Sequence, residues 1–267
     1  CDWSSDVCSS DLEAEMKKFF ILFTTIILSL TFPVTIWAEP NIDSPSSILI
    51  DSKTGRVLFE KEPDKKMYPA STTKIMTGIL CIEKGNLQDI VTVGENPPLI
   101  ERGSSQIYLV PEEQLTLEQL LYALMLESAN DAAVAIAEHI SGSVEEFAKL
   151  MNQKAKELGA INTSFVNPHG LPDDNHYTTA EDLALIANYG MTLPKFRDVV
   201  KTVKYTIPQT NKQPERDYIT NSNKSIWTIN KKFHYEYAIG IKTGYTTKAK
   251  NCFVSAAEKD GIELLSV

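Results

Sequence analysis

A helix that is apolar on almost every face must be buried on almost every face. The stretch YPASTTKIMTGILCIEKG, residues 68–85, is of that kind. Its composition predicts a central helix over residues 71–84, ended by Gly85, with the rest of the chain packed around it. The 267 residues suffice for one or two domains with a sizeable core. One residue conflicts with burial. Lys74 is the only charge between Tyr68 and Glu83, and a lysine inside such a helix is costly unless it is neutral or paired. Desolvation lowers a lysine pKa, and so does the positive end of a helix. Ser71 stands one turn earlier, and an amine kept partly neutral there can accept its hydroxyl proton, activating a serine nucleophile without a histidine. The competing reading is a lysine that snorkels out of the first turn, with Ser71 a helix cap.

The remaining elements can be placed around this helix. SSILIDSKTGRVLFEKE alternates about a Gly-containing turn and predicts a β-hairpin. Residues 91–114 read as short strands and loops. Thr116 with Gln119 forms a capping box for one helix, and a second starts after Ser128-Ala129-Asn130. Ser143 with Glu146 caps a third, with Phe147, Leu150, Met151 and Leu158 on one face. Thr178 with Glu181 caps a fourth, striped by Leu183, Ile186 and Ala187 and ended by Gly190. From about Val199 the pattern returns to strands, through YAIGIKTGYTT and NCFVSAAEKDGIELLSV. No internal repeat interrupts this order. A hairpin, a block of helices and then strands predicts an α+β fold whose first and last strands share one antiparallel sheet.

The first residues carry a different signal. Met16 opens MKKFFILFTTIILSLTFPVTIWAEP, in which Lys17 and Lys18 precede an apolar run and Ala38 offers a cut before Glu39. That is the architecture of a secretory signal peptide; a membrane anchor is the alternative, although the span is short for one. The expected division is a non-native leader over 1–15, a signal peptide over 16–38, a linker over 39–46 and a catalytic domain over 47–267, truncated because the chain stops inside an apolar strand. With Cys1 and Cys8 in the leader, only Cys81 and Cys252 remain, too few for a disulfide framework, and no Cys/His cluster suggests zinc or another metal. Whether those two pair is open. The net charge of −9 argues against nucleic acid as a partner.

Two more segments carry chemistry. ESANDAA places Ser128 and Asn130 in a helix connection, where a hydroxyl can pass a proton and an amide can hold a substrate amide, or where both simply cap. Lys-Thr-Gly occurs twice. Lys53-Thr54-Gly55 lies in the hairpin turn, which explains its glycine. Lys242-Thr243-Gly244 ends a strand whose Gly240 and Gly244 leave room for another backbone, so that a peptide can add alongside and offer a carboxylate to the cation and hydroxyl.

Ser71-x-x-Lys74, Ser128-x-Asn130 and Lys242-Thr243-Gly244, in that order, resemble the three signatures of the penicillin-recognising serine enzymes. MYPASTTKIMT, LESANDAA, FVNPHGLPDDNHYTTAEDLA and GIKTGYT resemble the D-alanyl-D-alanine carboxypeptidases, the low-molecular-mass penicillin-binding proteins, and the likeness covers residues 45–267. It implies a β-lactamase/transpeptidase-like fold: an antiparallel sheet flanked by helices, a helical subdomain and the site between them. It implies that Ser71 attacks the carbonyl between the terminal D-alanines of a peptidoglycan stem peptide and that Lys74 takes its proton. Ser128 would help protonate the leaving D-alanine, and Asn130 would hold the peptide. Lys242 and Thr243 of the Lys242-Thr243-Gly244 strand would bind the carboxylate, and the amides of Ser71 and Tyr245 would form the oxyanion hole. No cofactor is implied; β-lactams would acylate Ser71 as covalent inhibitors. The setting implied is extracytoplasmic, in cell-wall synthesis and cell shape, with membrane association through a C-terminal anchor missing here.

Ala129 stands where class A β-lactamases have Asp, and FVNPHGLPDDN holds no Glu to serve their deacylation step, so a β-lactamase is disfavoured. The other rivals are a cross-link-cutting endopeptidase and a non-catalytic sensor using the same cleft. Neither HExxH nor GxSxG occurs, and His139 and His169 are explained by packing and by turn geometry.

Overall fold

The computed structural model describes residues 14–21, 40–101, 103–229 and 231–267. It divides into two units, residues 1–43 and 44–267. Within the first, residues 14–21 are helical, and Lys18 pairs with Glu15. The expected leader up to residue 13 and the expected signal segment from 22 to 38 lie outside the described residues.

In the second unit the hairpin forms as the alternation requires. Strands β1 (Ser47–Asp51) and β2 (Val57–Lys61) pair antiparallel, and the turn is closed by Asp51, whose Oδ1 accepts from the Thr54 amide and hydroxyl, both at 2.8 Å. Two short ribbons follow along the chain, β3 (Ile90–Thr92) with β4 (Gln114–Thr116), and β5 (Lys204–Ile207) with β6 (Arg216–Thr220). The last strands, β7 (Ala238–Thr246), β8 (Lys250–Lys259) and β9 (Ile262–Ser266), complete the main sheet in the order β2-β1-β9-β8-β7. Ile50 pairs with Leu265, so the two ends of the unit do share one antiparallel sheet. β7 is left at its edge.

Helix α1 (Lys74–Lys84) is the central element. It packs against α2 (Leu117–Tyr122), α3 (Asn130–Ser141), α4 (Val144–Glu157), α5 (Ala180–Thr192) and α6 (Pro194–Lys201). Every residue from Lys74 to Cys81 is buried. At about 2 kcal/mol for each large apolar side chain, Ile75, Met76, Ile79 and Leu80 make this the main anchor of the core. α5 packs on β1 and α6 on β7, joining the helices to the sheet. The architecture is α+β.

Several local expectations need correction. Residues 71–73 belong to a 3-10 turn, Ala70–Thr73, and the α-helix begins at Lys74. Gly85 ends α1, as expected, but in an extended and not a left-handed conformation; a Cβ there would lie 2.8 Å from the Cys81 carbonyl oxygen and 2.3 Å from the tip of the Leu117 side chain. Thr179, not Thr178, caps α5 by accepting from the Asp182 amide at 3.0 Å, while the Thr178 hydroxyl is engaged by Thr163. Gly190 lies inside α5, where a Cβ would press on the Phe196 ring at 3.1 Å. Helix α6, which the sequence analysis does not anticipate, opens with Pro194 and buries Phe196, Val199 and Val200. The capping box of Thr116 and Gln119 is present in full. Cys81 and Cys252 are free thiols.

Candidate active site

Entry into α1 sets the geometry. Neither the 3-10 turn nor α1 has a side-chain cap, so the Ser71 hydroxyl is not spent on helix capping. Lys74 does not snorkel: it is fully buried, and its Nζ lies 3.1 Å from Ser71 Oγ. It also donates to Asn130 Oδ1 at 2.6 Å and to the His169 carbonyl at 2.7 Å. Those two partners can only accept. In its neutral form the amine has two N–H bonds and one lone pair, so with its donors taken by the two carbonyl oxygens the lone pair would be left for the serine hydroxyl. The surroundings favour that form. Burial, then the positive charge of Lys242, holds the Lys74 pKa well below the ordinary lysine value, against an opposing pull from Asp131.

The segment at 166–176 fixes the far side of the amine. Thr77 Oγ1 donates to the Pro168 carbonyl at 2.6 Å. Asn167 Oδ1 accepts from the Gly170 amide at 2.7 Å. Gly170, at φ +89°, passes so close to Ala70 that a Cβ would fall 1.8 Å from the Ala70 carbonyl oxygen. Two histidines, His169 partly buried and His176 buried, complete the support. Their Nδ1 atoms accept from the amides of Leu171 and Val166, both at 3.1 Å, and His176 Nε2 meets Thr73 Oγ1 at 2.8 Å. Burial first, and Lys74 among the charges, lowers His169 to about 3 and His176 to about 4, so both rings are neutral at pH 7. Gly170→Ala should therefore cost at least about 3 kcal/mol in urea unfolding and slow acylation of Ser71, since it combines a forbidden overlap with positive φ. Unchanged stability would show that the segment is free to move away.

Ser128 and Asn130 come from the connection between α2 and α3. A wider turn over Ala123–Glu127 ends at Ser128, whose φ of 64° is left-handed, and Asn130 opens α3. Ser128 Oγ is buried beside the cleft and has no hydrogen-bond partner among the described residues, which leaves it available. Asp131, also buried, accepts from the amides of Leu109 at 3.0 Å and Ile107 at 3.2 Å. The Asn130 amide donates to the Ser105 carbonyl at 2.8 Å. Together these bonds fasten the 103–109 loop to the start of α3, so that Ser104 and Ser105 rim the cleft.

The third wall is β7. Gly244 sits against the entry of α1, where a Cβ would lie 3.0 Å from the Ser71 amide nitrogen, so the strand passes the serine amide with little space for a side chain between them. The next residue, Tyr245, is exposed on the cleft. Thr243 also lines it, with Oγ1 2.6 Å from Ser222 Oγ. Lys242 is fully buried behind this wall; its Nζ donates to the Thr243 carbonyl at 3.2 Å. Burial lowers its pKa to about 7, against an opposing pull from Glu127. The cleft between these walls measures about 740 Å³. The other Lys-Thr-Gly, with Gly55 at φ +71°, lies exposed in the β1–β2 turn and takes no part in the cleft. If the cleft is acylated by penicillin, as the resemblance implies, Lys53→Ala should leave that labelling intact while Lys242→Ala cripples it; equal effects in a labelling gel would mean the two copies do not differ in role.

The structure thus gathers Ser71, Lys74, Ser128, Asn130, Thr243, Gly244 and Tyr245 around one cleft, with Lys242 directly behind it. Nothing in the sequence marks the His169 carbonyl, Asp131, Ser222 or Glu127 as part of the site. A backbone acceptor has no side-chain signature, and Asp131 looks like any acid in a first helical turn. Among the described residues, no cluster of His, Cys, Asp or Glu is arranged to hold a metal ion.

The profile of the peptidase S11 family, described as D-alanyl-D-alanine carboxypeptidase, matches residues 34–267. The chain belongs to the D-alanyl-D-alanine carboxypeptidase family. Relatives within the family include the D-alanyl-D-alanine carboxypeptidase DacF of Bacillus subtilis (strain 168), 38% identical over 94% of this chain and 66% of its own length. Another, DacC of Escherichia coli (strain K12), is 36% identical over 85% of this chain and 56% of its own. The chain therefore spans slightly under two thirds, and just over half, of these two relatives. Among solved structures, the Streptomyces K15 DD-transpeptidase superposes with a TM-score of 0.77 at 31% identity, over 86% of this chain and 90% of that one. Penicillin binding protein 5 from Haemophilus influenzae gives 0.76 at 32%, over 86% and 65%. The family fold is thus the DD-peptidase/penicillin-binding protein fold, in agreement with the resemblance carried by the three short signatures.

Proposed function

We propose that this chain is the catalytic part of an exported serine D-Ala-D-Ala carboxypeptidase that removes the terminal D-alanine from peptidoglycan stem peptides and is acylated by penicillins. The observation that carries the reading is the placement of Lys74 Nζ, buried and 3.1 Å from Ser71 Oγ, with its two other partners both carbonyl oxygens. In this reading Ser71 Oγ attacks the carbonyl between the two terminal D-alanines while its proton passes to the Lys74 lone pair. The amides of Ser71 and Tyr245 receive the developing oxyanion, a contribution of about 3 kcal/mol per donor. Ser128 Oγ gives its proton to the leaving amine and takes one back from the Lys74 ammonium, so the proton that left Ser71 ends on the released D-alanine, and Asn130 orients the peptide. Thr243 meets the terminal carboxylate, and Lys242 supplies positive field from behind. Water then releases the acyl-enzyme.

The signal-like sequence that opens at Met16 and the extracellular location of peptidoglycan support an extracytoplasmic site of action. Among the described residues no helix is long and apolar enough to cross a membrane.

The test is release of D-alanine from a peptide ending in D-Ala-D-Ala. Steady release supports the carboxypeptidase; acylation that occurs once and stops would identify a sensor. Cross-linked dimers and nitrocefin, supplied separately, would reveal an endopeptidase or a β-lactamase as the dominant activity.

A further inference from the structure

A buried ion pair gives a fold little net stability, because both charges leave water, so its presence points to something that it holds in place. Arg216 and Glu113 make such a pair. Their side chains are 5% and 0% exposed, and every other ion pair among the described residues is more exposed. All three guanidinium nitrogens are engaged. Nη1 lies 2.8 Å from Glu113 Oε1, Nη2 donates to Glu113 Oε2 at 3.0 Å, and Nε donates to the Ile107 carbonyl at 3.0 Å. Glu113 also accepts from the Val110 amide at 3.2 Å and from the Thr210 hydroxyl at 2.9 Å.

We propose that Arg216 is a positioning residue of the active site: with Glu113 it clamps the backbone of residues 107–110 against Asp131, and so fixes Asn130 and the 103–109 rim around Ser71; this rests on the carboxypeptidase reading. The clamp closes from two sides. Asp131, in the first turn of α3, takes the amides of Ile107 and Leu109, while Arg216 takes the Ile107 carbonyl and Glu113 the Val110 amide. Between them Tyr108 has a left-handed φ of 59°, which a residue with a side chain keeps only where its surroundings impose it.

The clamped backbone reaches the cleft in two places. Before Ile107, the Ser105 carbonyl takes the Asn130 amide at 2.8 Å, and Ser104 and Ser105 line the cleft. After Arg216, β6 ends at Thr220, which lines the cleft and whose amide donates to Glu127 Oε2 at 3.4 Å. Asn130 Oδ1 in turn accepts from Lys74 at 2.6 Å, so a shift of the clamp moves an acceptor that orients the base. A misplacement of about 1 Å can cost about a hundredfold in rate, even when its origin is remote from the chemistry.

The test compares the full chain with two variants. Arg216→Met together with Glu113→Gln removes the fork without leaving a lone buried charge, and Arg216→Lys keeps the charge but not the fork. Titration with penicillin counts the competent sites, so that rates refer to folded molecules alone. Per titrated site, the double variant should be acylated about tenfold more slowly, with the noncovalent dissociation constant of penicillin within about threefold of the parent's. The amides of Ile107 and Leu109 should exchange with deuterium at least about tenfold faster. Arg216→Lys should lie about threefold below the parent in acylation, since part of the contact is regained, and it carries the test alone if the double variant does not fold. An unchanged rate per site with only a lowered melting temperature would show a merely structural pair and overturn the proposal, as would unchanged exchange at Ile107 and Leu109. D-alanine release by the parent reads the activity separately. A parent that is acylated yet releases no D-alanine sinks the carboxypeptidase reading and leaves Arg216 to be judged on acylation and exchange; a parent that is never acylated sinks both.

Discussion

Ser71→Ala takes covalent labelling by fluorescent penicillin, and D-alanine release, to background while leaving the fold in place. The expectation follows from how little else in the cleft can replace the hydroxyl. Ser128 Oγ is buried and has no hydrogen-bond partner to take its proton. Cys252 also lines the cleft, but burial raises its thiol pKa to about 11, so thiolate is scarce at pH 7. Ser71 alone has an amine at 3.1 Å whose other contacts are already filled by acceptors. The structural cost of the substitution is small. Ser71 is half-buried, and Lys74 keeps Asn130 Oδ1 and the His169 carbonyl, so a loss of about 1 kcal/mol in unfolding free energy is expected. A labelling gel read beside a melting curve separates the two effects. A label that persists on Ser71→Ala and maps by mass spectrometry to Ser128 or Cys252 would move the nucleophile there and remove the basis of the mechanism.

Much of the site is legible in the sequence because its chemistry contradicts its surroundings. Lys74 stands out as a lone charge in an apolar helix, and burial of that charge is what the structure shows. The pairing of Ile50 with Leu265 is legible for a related reason: strand-like segments at both ends leave edges that one sheet can satisfy together. What stays hidden is carried by backbone or by distant loops. The carbonyl of His169 reaches Lys74 across 95 residues of chain, and Ser222 meets Thr243 from a turn whose sequence, NSNK, resembles any polar loop. A glycine can mislead. Gly85 does mark the end of α1, but Gly190, which looks like a second stop signal, lies inside α5, where a Cβ would crowd the Phe196 ring at 3.1 Å. Thr178 and Thr179 each precede an acid by three residues, and only the capture of the Thr178 hydroxyl by Thr163 decides which one caps α5. Helix α6 does carry a usable signal, Pro194 at its start and Phe196, Val199 and Val200 at helical spacing, but it is short and runs straight on from α5.

Lys242→Met should make the protein more stable at pH 7 while crippling its labelling by penicillin. Lys242 is fully buried, its one hydrogen bond among the described residues is to the Thr243 carbonyl at 3.2 Å, and burial lowers its pKa from 10.5 to about 7. The sign follows from proton binding. Between about pH 7 and 10.5 the unfolded chain holds a proton on this residue that the folded chain has largely released, so stability rises with pH across that window and is lost as pH falls from 10.5 towards 7. At pH 7 the penalty is about 4 kcal/mol at 1.36 kcal/mol per pKa unit, and methionine avoids it while keeping the chain length. Against this stands the lost bond to Thr243, about 1 kcal/mol. The variant should therefore gain about 3 kcal/mol over the parent in urea unfolding at pH 7, with the difference shrinking to near zero at about pH 10. Lys74 depresses stability in the same direction, since its pKa is also lowered mainly by burial, and Lys242 is the next cause. Removing the Lys242 charge should thus let Lys74 hold its proton more readily, which impairs the very base that Ser71 needs. A variant no more stable than the parent at pH 7, or an advantage that stays constant up to pH 10, would show that Lys242 is not carried as a costly buried amine.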